Sequence, residues 1–260
     1  AQNAAEMYQN GAEKEKNEIE NLLNWSGGEP PIDKVESKVG YYADIDGDGT
    51  PDGVIYADLA VSKSGQWGSA NGKYSYEAIT NTKDYYISQT DYAGAFGTKD
   101  VLRAKEGTGE DRFYVMALED FDPGTRYCWF AFAKGKITDY EEADFNGFGA
   151  GKTYTKSMIA IWNSGKYGSQ NGNGVYLDMW SVIQNEVEEG WFVPSKAEWS
   201  AFGDNLGITS ENYEDYGLSN VVWSSSVYNS SNAWTANFYK GELYAFEIND
   251  YYSVRLSTTF

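Results

Sequence analysis

Asp44-Ile45-Asp46-Gly47-Asp48-Gly49-Thr50-Pro51-Asp52 is the stretch of this 260-residue chain best suited to chemistry. Carboxylates at alternate positions converge on one point when the backbone turns sharply, and Gly49 permits that turn. Ca2+ takes about six to eight oxygens. The side chains of Asp44, Asp46, Asp48 and Asp52, the Thr50 carbonyl and water would supply them. The EF-hand pattern fails, because its twelfth position is Ile55 rather than Glu. Apolar residues on both sides instead predict a β-hairpin loop that holds Ca2+ structurally, with no base left over for catalysis. An acidic surface turn without metal is the alternative.

Other chemistries fit less well. Gly147-Phe148-Gly149-Ala150-Gly151-Lys152-Thr153 has the look of a phosphate loop. The glycine required five residues before Gly151 is Asn146, however, so a loop leading into a helix is expected. Glu186 and Glu189 could be taken for a glycosidase pair, yet 39 acidic residues make chance pairs on a solvated helix face common. The chain has no histidine, which removes the serine, cysteine and zinc chemistries that lean on imidazole. Its one cysteine, Cys128, sits in an apolar run and reads as a buried small hydrophobe that forms no intrachain disulfide.

The elements that must position such groups follow from composition and pattern. An apolar fraction of 41%, with nine Trp and 22 Tyr, is enough for a sizeable core. A formal charge of −19 disfavours nucleic acid and anionic membrane surfaces. No run approaches ~18 apolar residues, so no membrane insertion is expected. No leader-type segment is evident, as in a mature or trimmed product. Ile19, Leu22, Leu23 and Trp25 recur at helical spacing and predict an amphipathic helix over 5–25, stopped by Gly27-Gly28 and Pro30-Pro31. It serves either as a connector or as a helix packed on its own domain. Strand, acidic loop and strand are predicted over 39–59, short strands and loops to about 110, and buried strands at 112–119 and 126–133 around Asp122-Pro123-Gly124. Helices are predicted at about 154–163, 177–188 and 195–203, the last opened by Pro194 and a Ser195/Glu198 capping box. This order gives a mixed α+β fold.

The C-terminal forty residues differ in kind. Trp223-Ser224-Ser225-Ser226 and Tyr252-Ser253-Val254-Arg255-Leu256 frame a run of Tyr, Asn, Ser, Asp, Ala, Thr and Phe without clean core alternation. Tyr with Asn and Ser is what recognition surfaces use, rigid aromatic area among adaptable polar groups. Trp223, Trp234 and Phe238 are expected in the core. Tyr228, Tyr239, Tyr244, Phe246 and Tyr251 are expected to form an interaction patch.

Gly190-Trp191-Phe192-Val193-Pro194-Ser195-Lys196-Ala197-Glu198-Trp199 resembles the helix start of C-type lectin folds of the formylglycine-generating-enzyme type. The WSSS and SVRL blocks resemble the closing strands of that fold. Together with the tail, they resemble the variable proteins of diversity-generating retroelements over about residues 110–260. Three parts are expected: from pattern, a helix and linker at 1–35 and a β-rich segment with the acidic hairpin at 36–110; from the resemblance, a C-type lectin-like domain at 111–260. Its variable region would span about 223–256.

It also implies a ligand- or receptor-binding protein whose surface is diversified at adenine-rich codons. The implied variable positions are Val227, Tyr228, Asn229, Thr235, Ala236, Tyr239, Leu243, Tyr244, Ala245, Phe246, Ile248, Asp250 and Tyr251. Trp234, Lys240, Glu242 and Glu247 would be frame or invariant positions. The implied partner is a protein or cell-surface ligand, and the implied location a phage particle or bacterial surface. The enzymes of this fold use a cysteine pair that a lone Cys128 cannot reproduce, so no catalysis is expected. A non-variable adhesin or structural domain of the same fold is the alternative.

Overall fold

The computed structural model describes residues 36–131, 147–167 and 177–260. The helix expected over 5–25 lies outside them. The described residues form a mixed α+β structure. Its strands are β1 (Tyr42–Ala43), β2 (Gly53–Asp58), β3 (Lys63–Gln66), β4 (Lys73–Tyr76), β5 (Tyr85–Gly94), β6 (Gly97–Ala104), β7 (Phe113–Ala117), β8 (Tyr127–Cys128), β9 (Val221–Asn229), β10 (Asn232–Asn237), β11 (Glu242–Glu247), β12 (Tyr251–Tyr252) and β13 (Ser257–Thr259). The helices are α1 (Gly151–Ser164), α2 (Met179–Val182), α3 (Gln184–Glu188) and α4 (Lys196–Asn205).

The main sheet has the order β13-β7-β2-β1-β6-β5. β2 reads Gly-Val-Ile-Tyr-Ala-Asp and is buried along its whole length, because both of its faces meet cores. Val54 pairs with Tyr42 on one side and Met116 on the other, both antiparallel. The chain terminus returns to this sheet, with Thr258 opposite Val115 and the Phe260 ring against Tyr85. Residue 110 therefore does not divide two packing units: strands from before and after it share one continuous sheet.

Three smaller pairings complete the framework: β11-β10-β9, β12-β8 and β3-β4. Between the main sheet, α4 and β9–β11 lies a core built on Tyr56, Trp199, Phe202, Val222 and Phe238. A second core gathers Trp129, Met158, Trp180, Trp223 and Val254.

The helices follow their local signals. In α1, Tyr154, Met158 and Trp162 recur every four residues and are buried, and Gly165 ends the helix at φ +66°. At α4 the Ser195 N–H donates to Glu198 Oε2 at 2.6 Å, and the Glu198 N–H donates to Ser195 Oγ at 3.3 Å. The single helix expected over 177–188 is two short ones, because Ile183 leaves helical geometry at φ −89°, ψ 4°. Met179, Trp180 and Ile183 all enter the second core. Gly151 opens α1 for a packing reason rather than to approach a phosphate: a Cβ there would stand 2.2 Å from Glu198 Oε2.

Candidate functional site

Two groups of residues are placed to act. The first is the loop joining β1 to β2. Gly47 and Gly49 turn the backbone at φ +81° and +92°, and the carboxylates organise the loop from within. Asp44 accepts from the Gly47 and Gly49 N–H groups at 2.8 and 3.2 Å. Asp46 accepts from Asp48 N–H at 3.0 Å, and Asp48 from Thr50 N–H at 2.7 Å. One oxygen from each of Asp44, Asp46 and Asp48 lies within 4.8 Å of the others, so this triad could hold a metal ion.

Asp52 is not part of that triad. Its Oδ2 accepts from Ile45 N–H at 2.6 Å, and partial burial raises its pKa above the ordinary carboxylate value. Thr50 is exposed at the end of the turn. The Arg103 guanidinium lies against Gly47 on the other side of the loop. Sequence spacing did not point to this cation, because β6 is brought alongside β1 only by parallel pairing.

The second group is the tail sheet. β10 pairs antiparallel with β11, Thr235 opposite Tyr244 and Ala236 opposite Leu243. Alternation along a strand sends successive side chains to opposite faces. Trp234, Ala236, Leu243 and Ala245 therefore face the first core. Trp223, Ala233, Val227 and Phe246 face the second. Among the expected variable positions, Thr235, Ala236 and Leu243 are fully buried and cannot be displayed. Thr235 is further held by its hydroxyl, which donates to the Tyr244 carbonyl at 2.8 Å.

Val227, Ala245, Phe246 and Ile248 are half-buried against the cores, and Asp250 is half-buried. Asn229 is exposed, as are Tyr228, Tyr239, Tyr244 and Tyr251, whose fractional exposures run from 37% to 64%. Those four tyrosines are most of the exposed large apolar side chains among the described residues; the other two are Val61 and Leu177. Of the four expected frame positions, Trp234 is buried, whereas Lys240 and Glu247 are exposed and Glu242 is half-buried.

The aromatic rings form a row that climbs out of the core. Trp223 meets Tyr252 at 5.1 Å, Tyr252 meets Phe246 at 4.8 Å, and Phe246 meets Tyr244 at 4.9 Å. On the opposite face Tyr228 packs edge-on against Trp234 at 5.0 Å. Two lysines cap this area, Lys240 over Tyr244 and Lys196 over Trp234. Burial lowers the Lys196 pKa below its usual value. Tyr252 and Lys196 escaped the sequence reading: one lies in a framework block, the other at a helix start thirty-eight residues before Trp234.

Beneath these groups the backbone is pinned. The indole N–H groups of Trp129, Trp199 and Trp223 donate to the carbonyls of Ser224, Trp223 and Tyr127 at 2.9, 3.1 and 2.7 Å. Ser224 Oγ donates to the Trp234 carbonyl at 2.8 Å. Arg255 pairs with Asp120 at 2.7 Å and donates to the Gly217 carbonyl at 2.7 Å. Cys128 is buried, its thiol donating to the Asn249 carbonyl at 3.3 Å. Burial, with Asp178 and Asp250 nearby, pushes its pKa up to about 12. The reactive thiolate is thereby suppressed.

The sheet edge and turns can thus offer phenol rings and amide and carboxylate groups to a partner from a backbone that does not need to reorder. No helix among the described residues is long and apolar enough to cross a membrane. No family model and no curated protein matches the chain.

Proposed function

We propose that this chain is a ligand- or receptor-binding protein. It would display a hypervariable surface on a C-type lectin-like fold, in the manner of retroelement-diversified variable proteins on phage particles or bacterial surfaces. The observation that carries the reading is the contrast within the tail. Tyr228, Tyr239, Tyr244 and Tyr251 stand in solvent while the WSSS and SVRL blocks between which they are strung are buried and hydrogen-bonded. A platform of this kind loses little ordering entropy on binding, so side-chain identity can set partner choice. The suppressed thiol of Cys128 supports binding over catalysis.

The test lies in the gene's neighbourhood. A near-identical, adenine-rich copy of the segment encoding 223–256 beside a reverse-transcriptase gene is expected. A complete genome lacking both would favour the non-variable adhesin instead.

The acidic loop belongs to the same proposal as a structural Ca2+ site. Asp44, Asp46 and Asp48 would supply the charged ligands, with Asp52 shaping the loop through Ile45. Hard carboxylate oxygens suit a hard cation, whose binding to the folded state alone stabilises it by mass action. Calcium at about one hundred times its Kd is expected to add about 2.7 kcal/mol. Chelator should therefore lower the melting temperature of the wild type and leave Asp46→Ala/Asp48→Ala unmoved. Identical melting of the wild type with and without calcium would assign the loop's charge balance to Arg103 alone.

A further inference from the structure

Apart from the displayed tail positions, one cavity of about 180 Å3 opens on the flank of the second core. Four separate segments meet there. β7 and the residues after it supply Ala117, Glu119 and Phe121, α3 supplies Glu186, the turn after α3 supplies Trp191, and the approach to β13 supplies Leu256. The walls are mostly apolar, two of them aromatic, and the only charged lining groups are two carboxylates. Glu119 is exposed. Glu186 differs: its Oε2 is buried and finds no hydrogen-bond partner among the described residues. A carboxylate oxygen withdrawn from water without a donor is costly, and no cation lines the cavity to compensate it.

A carboxylate side chain and two aromatic side chains lining one small cavity are the chemistry that receives organic cations. The carboxylate supplies the countercharge, and the rings attract the cation through their quadrupoles. Size narrows the class. Drug-sized ligands and sugars need pockets of roughly 300–1,000 Å3, whereas this cavity holds the volume of roughly six waters at about 30 Å3 each. It suits one small head group. The chain's net charge of −19 would draw cations toward it.

We propose that this cavity is a binding site for an alkylammonium group, with Glu186 as the countercharge and Trp191 and Phe121 as the aromatic walls. The group is carried either by a small free amine or quaternary ammonium compound, or by a lysine side chain of a protein partner. None of the lining residues belongs to the displayed tail positions, so the site does not depend on the variable surface.

The experiment is a titration of the intact protein with tetramethylammonium and n-butylammonium, read by Trp fluorescence and calorimetry at constant ionic strength. Choline, its neutral isostere 3,3-dimethylbutanol and a lysine-containing peptide are run alongside. Saturable binding of the ammonium probes is expected, at least tenfold weaker in Glu186→Gln and in Trp191→Leu, with the alcohol not competing. Tighter binding of the peptide than of the free amines identifies a protein lysine as the source, and the reverse order a free amine. Equal binding of alcohol and ammonium, unaltered binding in Glu186→Gln, or no saturation by any cation would overturn the assignment. The alcohol comparison uses wild-type protein only, so it stands even if a variant fails to fold.

Discussion

Replacing Arg255 with alanine is expected to destabilise the protein by about 3–5 kcal/mol, the cost of leaving a buried charge without its partner. Arg255 is buried and Asp120 is largely so, and the network around them is wide. Asp120 also accepts from Ser219 Oγ, Ser253 Oγ donates to Ser219 Oγ at 2.9 Å, and Arg255 holds the Gly217 carbonyl. These bonds tie the strand that closes the tail to residues 217–219 and to the chain after β7. Denaturant unfolding of Arg255→Ala should show the loss, with the tail's tyrosines more mobile on the same protein. The pair is not fully satisfied, since Arg255 Nη1 has no acceptor among the described residues. Replacing Arg255 and Asp120 together with methionine and leucine should therefore recover most of the stability. If the single variant lost less than about 1 kcal/mol, the network would not be what fixes this segment.

Glu198 makes stability depend on pH in an unusual direction. Its carboxyl is fully buried, and burial pushes its pKa from an ordinary 4.5 up to about 7 against the opposing pull of the Ser195 and Gly151 N–H donors. A folded-state pKa above the unfolded one means that the native protein holds the extra proton between those values. The stabilisation is then complete below pH 4.5 and is lost as pH rises through 7. A gap of that size corresponds to about 3 kcal/mol. Other carboxyls shift as well: burial raises the pKa values of Asp178 and Asp52, whereas hydrogen bonds from Lys83 and Thr259 outweigh burial and lower that of Asp111. Glu198→Gln isolates the effect. Because the amide stays neutral at every pH, the stability curves of wild type and variant should lie close together near pH 4.5 and separate toward pH 7.5, the wild type falling relative to the variant. Parallel curves would mean that Glu198 keeps one charge state throughout.

What could be read in the sequence was mostly local. The Ser195/Glu198 box closes over three residues, Tyr154, Met158 and Trp162 share one face of a helix, and the Asp44–Asp52 loop carries its own hydrogen-bond partners. These signals need no knowledge of the rest of the fold. The misplaced residues depend on it. Thr235, Ala236 and Leu243 look like tail residues of the same type as Tyr244, but their exposure is decided by which face α4 and the second core cover. The break at Ile183 falls at a residue that carries no helix-breaking signal, so the sequence did not mark it. Arg103 beside Gly47, Lys196 over Trp234 and the Glu186 cavity join segments far apart in the chain. The capping box also hid its cost: spacing predicted the bonds, and only packing showed that the carboxylate would be sealed from water.

The central claim is that the frame and the displayed groups are energetically separate. Thermal unfolding of a library randomised at Tyr228, Tyr239, Tyr244 and Tyr251 together tests it most directly. Exposed substitutions change stability by about 0.5 kcal/mol or less each, so most members should fold and melt within several degrees of the parent, roughly 2–4 °C per kcal/mol. A library in which most members are unfolded, or melt lower by as much as Arg255→Ala, would contradict the account, because those tyrosines would then be part of the core's support.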